Sequence, residues 1–265
     1  MYLFNVQPVR ILSFLLLFSI LGCSSIISSK SYIDEIVIIN IKKLDRLAIA
    51  QLIEYSSEAK VVGIDINFTK PTEKDQSFLK IINAYQHKLV FSAAPYKCIT
   101  EKSPAQCDSL KNTFFHSSDT HIGFTDLFFP PSIDPDKKEP IFQDEYLLYK
   151  GDTIPHFGVE VVRLYSNLPI DKFKLGEQVK TIYPQKEFMV IDGTQLLKNP
   201  SMYSSVFKDK IVLISFLGEE VGSKPAFPET EEGYYPDQEM YYIVILASHI
   251  VHLLKEYEVP IISEE

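Results

Sequence analysis

The 265-residue chain has no tryptophan, only ten glycines and three cysteines, and fewer basic than acidic residues: 26 lysines and arginines against 35 aspartates and glutamates. The resulting charge of −9 excludes nucleic acid as a partner, because phosphate binding needs a clustered excess of cations and the sequence has none. With glycine so scarce, no glycine-rich loop precedes a helix to cradle a nucleotide, and no Gly-x-Ser-x-Gly elbow presents an activated serine. No cofactor is implied. After the leader, no apolar run is long enough to span a bilayer; Tyr241 to Leu254 is too short and carries His249 and His252. The acidic residues collect late, at Glu219-Glu220, Glu229 to Glu232 and Glu264-Glu265, and read as a solvated face. The remaining composition, 46% hydrophobic, suffices for one large domain with a sizeable core.

The first residues carry an address. Met1 to Arg10 is a short lead with one cation, and Ile11 to Leu21 is an apolar run too short for a spanning helix, as in a signal-peptide core. Ile20-Leu21-Gly22-Cys23 resembles the lipobox of bacterial lipoproteins, in which the cysteine becomes the lipidated first residue. The expected organisation is a signal peptide over 1–22, a tether over 23–32 and one domain over 33–259. Two acyl chains on Cys23 suffice for stable membrane attachment. An uncleaved N-terminal anchor with an incidental cysteine is the alternative, and on either reading the bulk of the chain leaves the cytoplasm for the periplasmic side or the cell surface. There, Cys98 and Cys107, close in sequence with Ser103-Pro104 bending the chain between them, point to a disulfide rather than a metal pair. Closing so short a loop limits unfolded-chain freedom by about 2 to 3 kcal/mol.

The order of elements predicts an α/β fold. Ile36 to Ile41 is a strand, and Leu44, Leu47, Ala48, Leu52 and Tyr55 recur behind it at helical spacing. Val61 to Asn67 follows as a second strand, completing a β-α-β unit. Asp75 is placed to cap a helix whose buried stripe is Phe78, Leu79, Ile82 and Tyr85, and Leu89 to Ala94 is the third strand. From Pro95 to about Lys150 the pattern decays into an irregular insertion, with short strands near Gly123-Phe124-Thr125 and Glu145 to Tyr149. Pro155 to Tyr165 suits a helix, and Lys180 to Pro184 with Glu187 to Ile191 reads as a hairpin-sized strand pair. Ile211 to Phe216 is a strongly apolar strand, Gly218 lets it turn, and a helix over Glu239 to Lys255 closes the chain. The predicted architecture is a three-layer sandwich around a mostly parallel sheet, with the insertion in its middle third.

Two segments carry a family resemblance. Lys60-Val-Val-Gly-Ile-Asp-Ile-Asn-Phe68 and Phe207-Lys-Asp-Lys-Ile-Val-Leu-Ile-Ser215, with Gly123-Phe124 between them and a helix after, resemble the signatures of the type 2 CHASE domain over roughly Ile36 to Tyr257. CHASE domains are the extracellular sensory modules of cyclases and histidine kinases. The family commonly opens its last helix with a Gly-Val-x-x-His-Ala-Asn-like signature, whereas Leu246 stands here where that His is expected. Family members usually continue into membrane helices and a cytoplasmic kinase or cyclase, and this chain stops. The resemblance therefore implies a free-standing, lipid-tethered, non-enzymatic sensor that binds a small ligand and leaves its output to an integral partner.

The carboxyl ends of strands are where such sheets bind ligands, which selects Asn40, Lys42, Asp65, Asn67 and Glu219 as the candidate site. A carboxylate at Asp65, inside an apolar strand, is costly to bury unless paired; holding the backbone amides of the following turn is the structural alternative. A rival reading makes His116, Asp119 and His121 the ligands of a metal-dependent hydrolase. His249 and His252, at i and i+3, are either metal ligands or packing residues. A structural envelope lipoprotein is the third possibility, assembling through Phe128-Phe129 and Tyr234-Tyr235.

Overall fold

The computed structural model describes residues 31–66, 68, 71–99, 105–111, 120–125, 141–142, 145–173, 179–180, 188–217 and 242–261. The chain divides into two units, Met1–Ser31 and Tyr32–Glu265. The strands of the second unit are β1 Ile36–Asn40, β2 Val61–Asp65, β3 Leu89–Ile99, β4 Ala105–Lys111, β5 His121–Phe124, β6 Ile141–Phe142, β7 Tyr146–Tyr149, β8 Asp152–Pro155, β9 Val179–Lys180, β10 Met189–Asp192 and β11 Ile211–Ser215. Its α-helices are α1 Arg46–Tyr55, α2 Asp75–Tyr85, α3 Phe157–Ser166, α4 Gly193–Lys198 and α5 Tyr242–Glu256.

Nine strands form one sheet in the order β10-β1-β11-β2-β3-β4-β7-β8, with β5 also pairing β3. Strands β10, β1, β11, β2, β3 and β5 run parallel. Each central strand is a run of β-branched residues because both of its faces are covered. Alternation along the pleat then divides the core. Ile36, Ile38, Val61, Ile211 and Leu213 pack beneath α3 and α5. Val37, Ile39, Val62, Ile64, Val212 and Ile214 pack against the face that α1, α2 and α4 cover through Leu52, Phe78 and Leu196. The result is the expected three-layer α/β sandwich.

Gly63 and Gly123 owe their identity to one neighbour, Phe157, the fully buried first residue of α3. A Cβ on Gly63 would lie 2.7 Å from Phe157 Cζ and 2.9 Å from Leu213 Cδ2, while one on Gly123 would lie 2.4 Å from Phe157 Cα. The helix start is thus seated in a dent that only glycine leaves in the sheet. At the amino ends of the strands, Glu35 is buried and accepts hydrogen bonds from Tyr165 Oη at 2.9 Å and Lys210 Nζ at 3.2 Å.

Four expectations need correction. The third strand runs on to Ile99, because its second half pairs antiparallel with β4, Pro95 opposite Leu110. Pro95 is tolerated since β3 has left β2, whose last partner is Phe91, so the missing N–H breaks no ladder on that side. Within the insertion β5 and β7 are the two short strands expected there, and β4 and β6 are additional. The hairpin expected of Lys180 to Pro184 with Glu187 to Ile191 is not made by their described residues: β10 joins β1 in parallel and β9 pairs antiparallel with β6. Asp75 is the first residue of α2 rather than its cap; it accepts from Thr72 N at 2.7 Å, bracing the turn before the helix.

Candidate functional site

Four parallel strands end on a polar residue at one level. In register, Asp192 of β10 lies beside Asn40 of β1, Asn40 beside Ser215 of β11, and Ser215 beside Asp65 of β2. Continuing the β2–β3 register puts Ser92 next. Alternation turns all five toward the face that carries α3 and α5. Strands that are otherwise wholly apolar therefore finish in a hydrogen-bonding row at the crevice end of the sheet, where open α/β sheets take ligands.

The two ends of the row differ in charge. Burial alone would raise the Asp192 carboxyl, but bonds from Lys42 Nζ at 2.5 Å and from the Thr194 hydroxyl and amide outweigh it and hold the group at about 2. Asp192 is accordingly an ionised cap on α4, tied to Lys42. Asp65 is the opposite case. Desolvation raises its carboxyl, and the hydroxyls of Ser92 and Ser215 offset that only in part. Ser215 Oγ donates to Asp65 Oδ2 at 3.2 Å. Between them, Asn40 Oδ1 accepts from the amides of Lys42, at 3.1 Å, and Leu217, at 3.0 Å, so it ties together the chain exits of β1 and β11. Lys42 itself adopts a left-handed φ of 46°, which aims the turn back toward Asp192.

A second polar group stands where α1 and α2 begin. Arg46 Nη1 pairs with Asp75 and donates to Thr72 Oγ1 at 3.2 Å, while its guanidinium lies 5.3 Å above the Phe68 ring. That ring stacks edge-on against Phe78. The arginine is thus clamped, bracing the loop between β2 and α2.

Of the residues selected from sequence, Asn40, Lys42 and Asp65 lie together on neighbouring strand ends, and Asn67 and Glu219 fall outside the described residues. So do Cys23, His116, Asp119, Phe128-Phe129 and Tyr234-Tyr235. Cys98 and Cys107 face each other across β3 and β4 and are bonded, S–S 2.02 Å. His121 turns to Glu160 and Arg163. His249 is buried edge-on against His156 at 4.7 Å, whereas His252 is partly exposed and lies 3.5 Å from Glu256, so the two do not converge on one site. Among the described residues no cluster of three or more His, Cys, Asp or Glu could hold a metal ion. Leu246, in the place of the expected family His, is fully buried in the α3–α5 core.

Ser92, Ser215 and Asp192 were not among the sequence candidates. Ser215 had the same signal as Asp65, a polar residue closing an apolar strand. Asp192 was hidden by the hairpin interpretation, since its place beside Asn40 depends on β10 crossing to β1.

This architecture defines an α/β domain whose parallel strands end on a row of polar residues. The CHASE2 domain family model matches residues 31–263, and the chain belongs to the CHASE2 family. CHASE2 domains are sensory extracellular domains, which supports an extracytoplasmic location. No curated protein and no solved structure matches the chain.

Proposed function

We propose that the protein is a non-enzymatic, extracytoplasmic sensor that binds a small ligand at the strand-end row, with Asp65, Asn40 and Lys42 as its polar contacts and Ser215 and Asp192 beside them. Asn67 and Glu219, the next polar residues along two of these chain exits, complete the proposed set. One observation carries this reading: in a member of a sensory family, four otherwise apolar strands end at one level on side chains that form hydrogen bonds. The raised Asp65 carboxyl supports a binding role, because a ligand donor or cation that pairs with it would relieve the cost of desolvation. The row is tested by a thermal-shift screen of small metabolites on wild-type protein and on Asp65→Asn. A compound that raises the melting temperature of the wild type but not of a normally folded Asp65→Asn is the expected result; every stabilising compound acting equally on both would refute the site.

The Ile20 to Cys23 segment supports a tether of diacylated Cys23, and among the described residues no helix is long and apolar enough to cross a membrane. A lipid tether does not cross the bilayer, so the signal leaves through an integral signalling partner. Mass spectrometry of the native N-terminus should find lipid on Cys23, and an intact Met1 to Gly22 would refute the tether. An integral kinase or cyclase should co-purify from native membranes.

A further inference from the structure

A cleft of about 500 Å³ opens where α3 meets β5 and β8, a volume ordinary for small-molecule sites. It shares no lining residue with the strand-end row, and its polar wall is built on Glu160, whose side chain is only 6% exposed. Glu160 accepts from Arg163 Nε at 2.7 Å and Nη2 at 2.6 Å, and His121 Nδ1 lies 3.0 Å from its Oε1. Arg163 Nη2 is also 3.2 Å from that same Nδ1. A carboxylate only accepts and a guanidinium only donates. Nδ1 therefore serves Glu160 when it carries the ring proton and Arg163 when it does not, and in the second state Nε2 presents an N–H without any change of net charge. The fork on Glu160 uses Nε and Nη2 of Arg163 and leaves the two Nη1 hydrogens as donors. His121 and Arg163, at 27% and 24% side-chain exposure, are both open to the cleft.

The rest of the lining has the opposite character. Asp152, exposed at the start of β8, supplies a carboxylate, and Leu110, Ile154 and Ile170 supply apolar surface. A simple anion would meet Asp152 and Glu160, and a simple cation would meet Arg163. A ligand bearing both charges satisfies both sides, and an apolar branch on it covers the aliphatic wall.

We propose that this cleft binds a small zwitterion of the α-amino-acid type with an apolar side chain. Its carboxylate would be held by Arg163 Nη1 and His121 Nε2, its ammonium by Asp152, and its side chain by Leu110, Ile154 and Ile170. This goes beyond the sensory reading of the strand-end row, which stands or falls by its own test. Calorimetric titration of the full-length protein with L-leucine, isovalerate and isopentylamine tests it. Saturable leucine binding is expected, with each single-charge analogue at least tenfold weaker. Asp152→Asn, an exposed substitution that leaves the fold intact, should weaken leucine about tenfold and leave isovalerate unchanged. Absence of leucine binding into the millimolar range, an analogue that equals leucine, or unchanged leucine affinity in Asp152→Asn would each overturn the assignment.

Discussion

Acid should unfold this protein through two histidines. His156 caps α3, its Nδ1 accepting from Gly158 N at 3.1 Å, and its ring meets Phe124 at 5.1 Å and His249 at 4.7 Å, both edge-on. Both imidazoles are 1% exposed. Burial pushes His156 down to about 3; His249 is pushed well below its ordinary value by burial first and then by His156 and His252. A folded-state pKa below the unfolded value means that the unfolded chain binds more protons under pH 6.5. Stability is therefore full above pH 6.5 and falls as pH drops from there toward the folded values. A neutral imidazole costs about 1.4 kcal/mol per pH unit, so His156 alone removes about 2 kcal/mol between pH 6.5 and 5, a sizeable share of a typical domain's stability, and His249 adds to the loss in the same direction. Asp65 works the other way, since its raised carboxyl takes up a proton in the folded state first. Asp192 and Glu160, both lowered, lose their contribution only at lower pH. Urea melts of Asp65→Asn at pH 7, 6 and 5 remove the counterweight. A steady loss toward pH 5, absent when His156→Asn and His249→Gln are added, is expected. A flat profile in Asp65→Asn alone would refute the reasoning.

Two further perturbations arise from packing. Gly123→Ala drives a methyl into the Phe157 backbone and should cost about 3 kcal/mol, whereas Gly63→Ala meets the ends of two side chains and should cost about 1 to 2 kcal/mol. Adding Phe157→Leu should rescue Gly63→Ala but not Gly123→Ala, a difference read as coupling in a double-mutant cycle of urea midpoints. Glu35→Ala leaves Lys210 and the Tyr165 hydroxyl without their buried acceptor and should cost about 3 kcal/mol, with Glu35→Gln costing less because it keeps an acceptor for Tyr165. Equal costs for the two Glu35 variants in the same melts would contradict that account.

The sequence alone determined the sandwich. Ile36 to Asn40, Val61 to Asp65 and Ile211 to Ser215 are β-branched on both faces, and helices of one-sided pattern follow the first two. The contents of a doubly covered strand are a local property that survives any arrangement of its neighbours. The same logic exposed Asp65 and Asn40, because a polar residue ending such a strand must meet water, a partner or a ligand. Pairing is not local. Whether Met189 to Asp192 turned back on Val179-Lys180 or crossed to β1 depended on which edge of the sheet was open, and that choice alone put Asp192 beside Asn40 and within reach of Lys42. Gly63 and Gly123 were visible as motif residues, yet the phenylalanine that arrives against both from α3 was not. His121 was noticed for its neighbours in sequence, His116 and Asp119; the fold gave it Glu160 and Arg163, since side chains thirty-nine and forty-two positions onward meet it only when a helix is laid across the strand it starts.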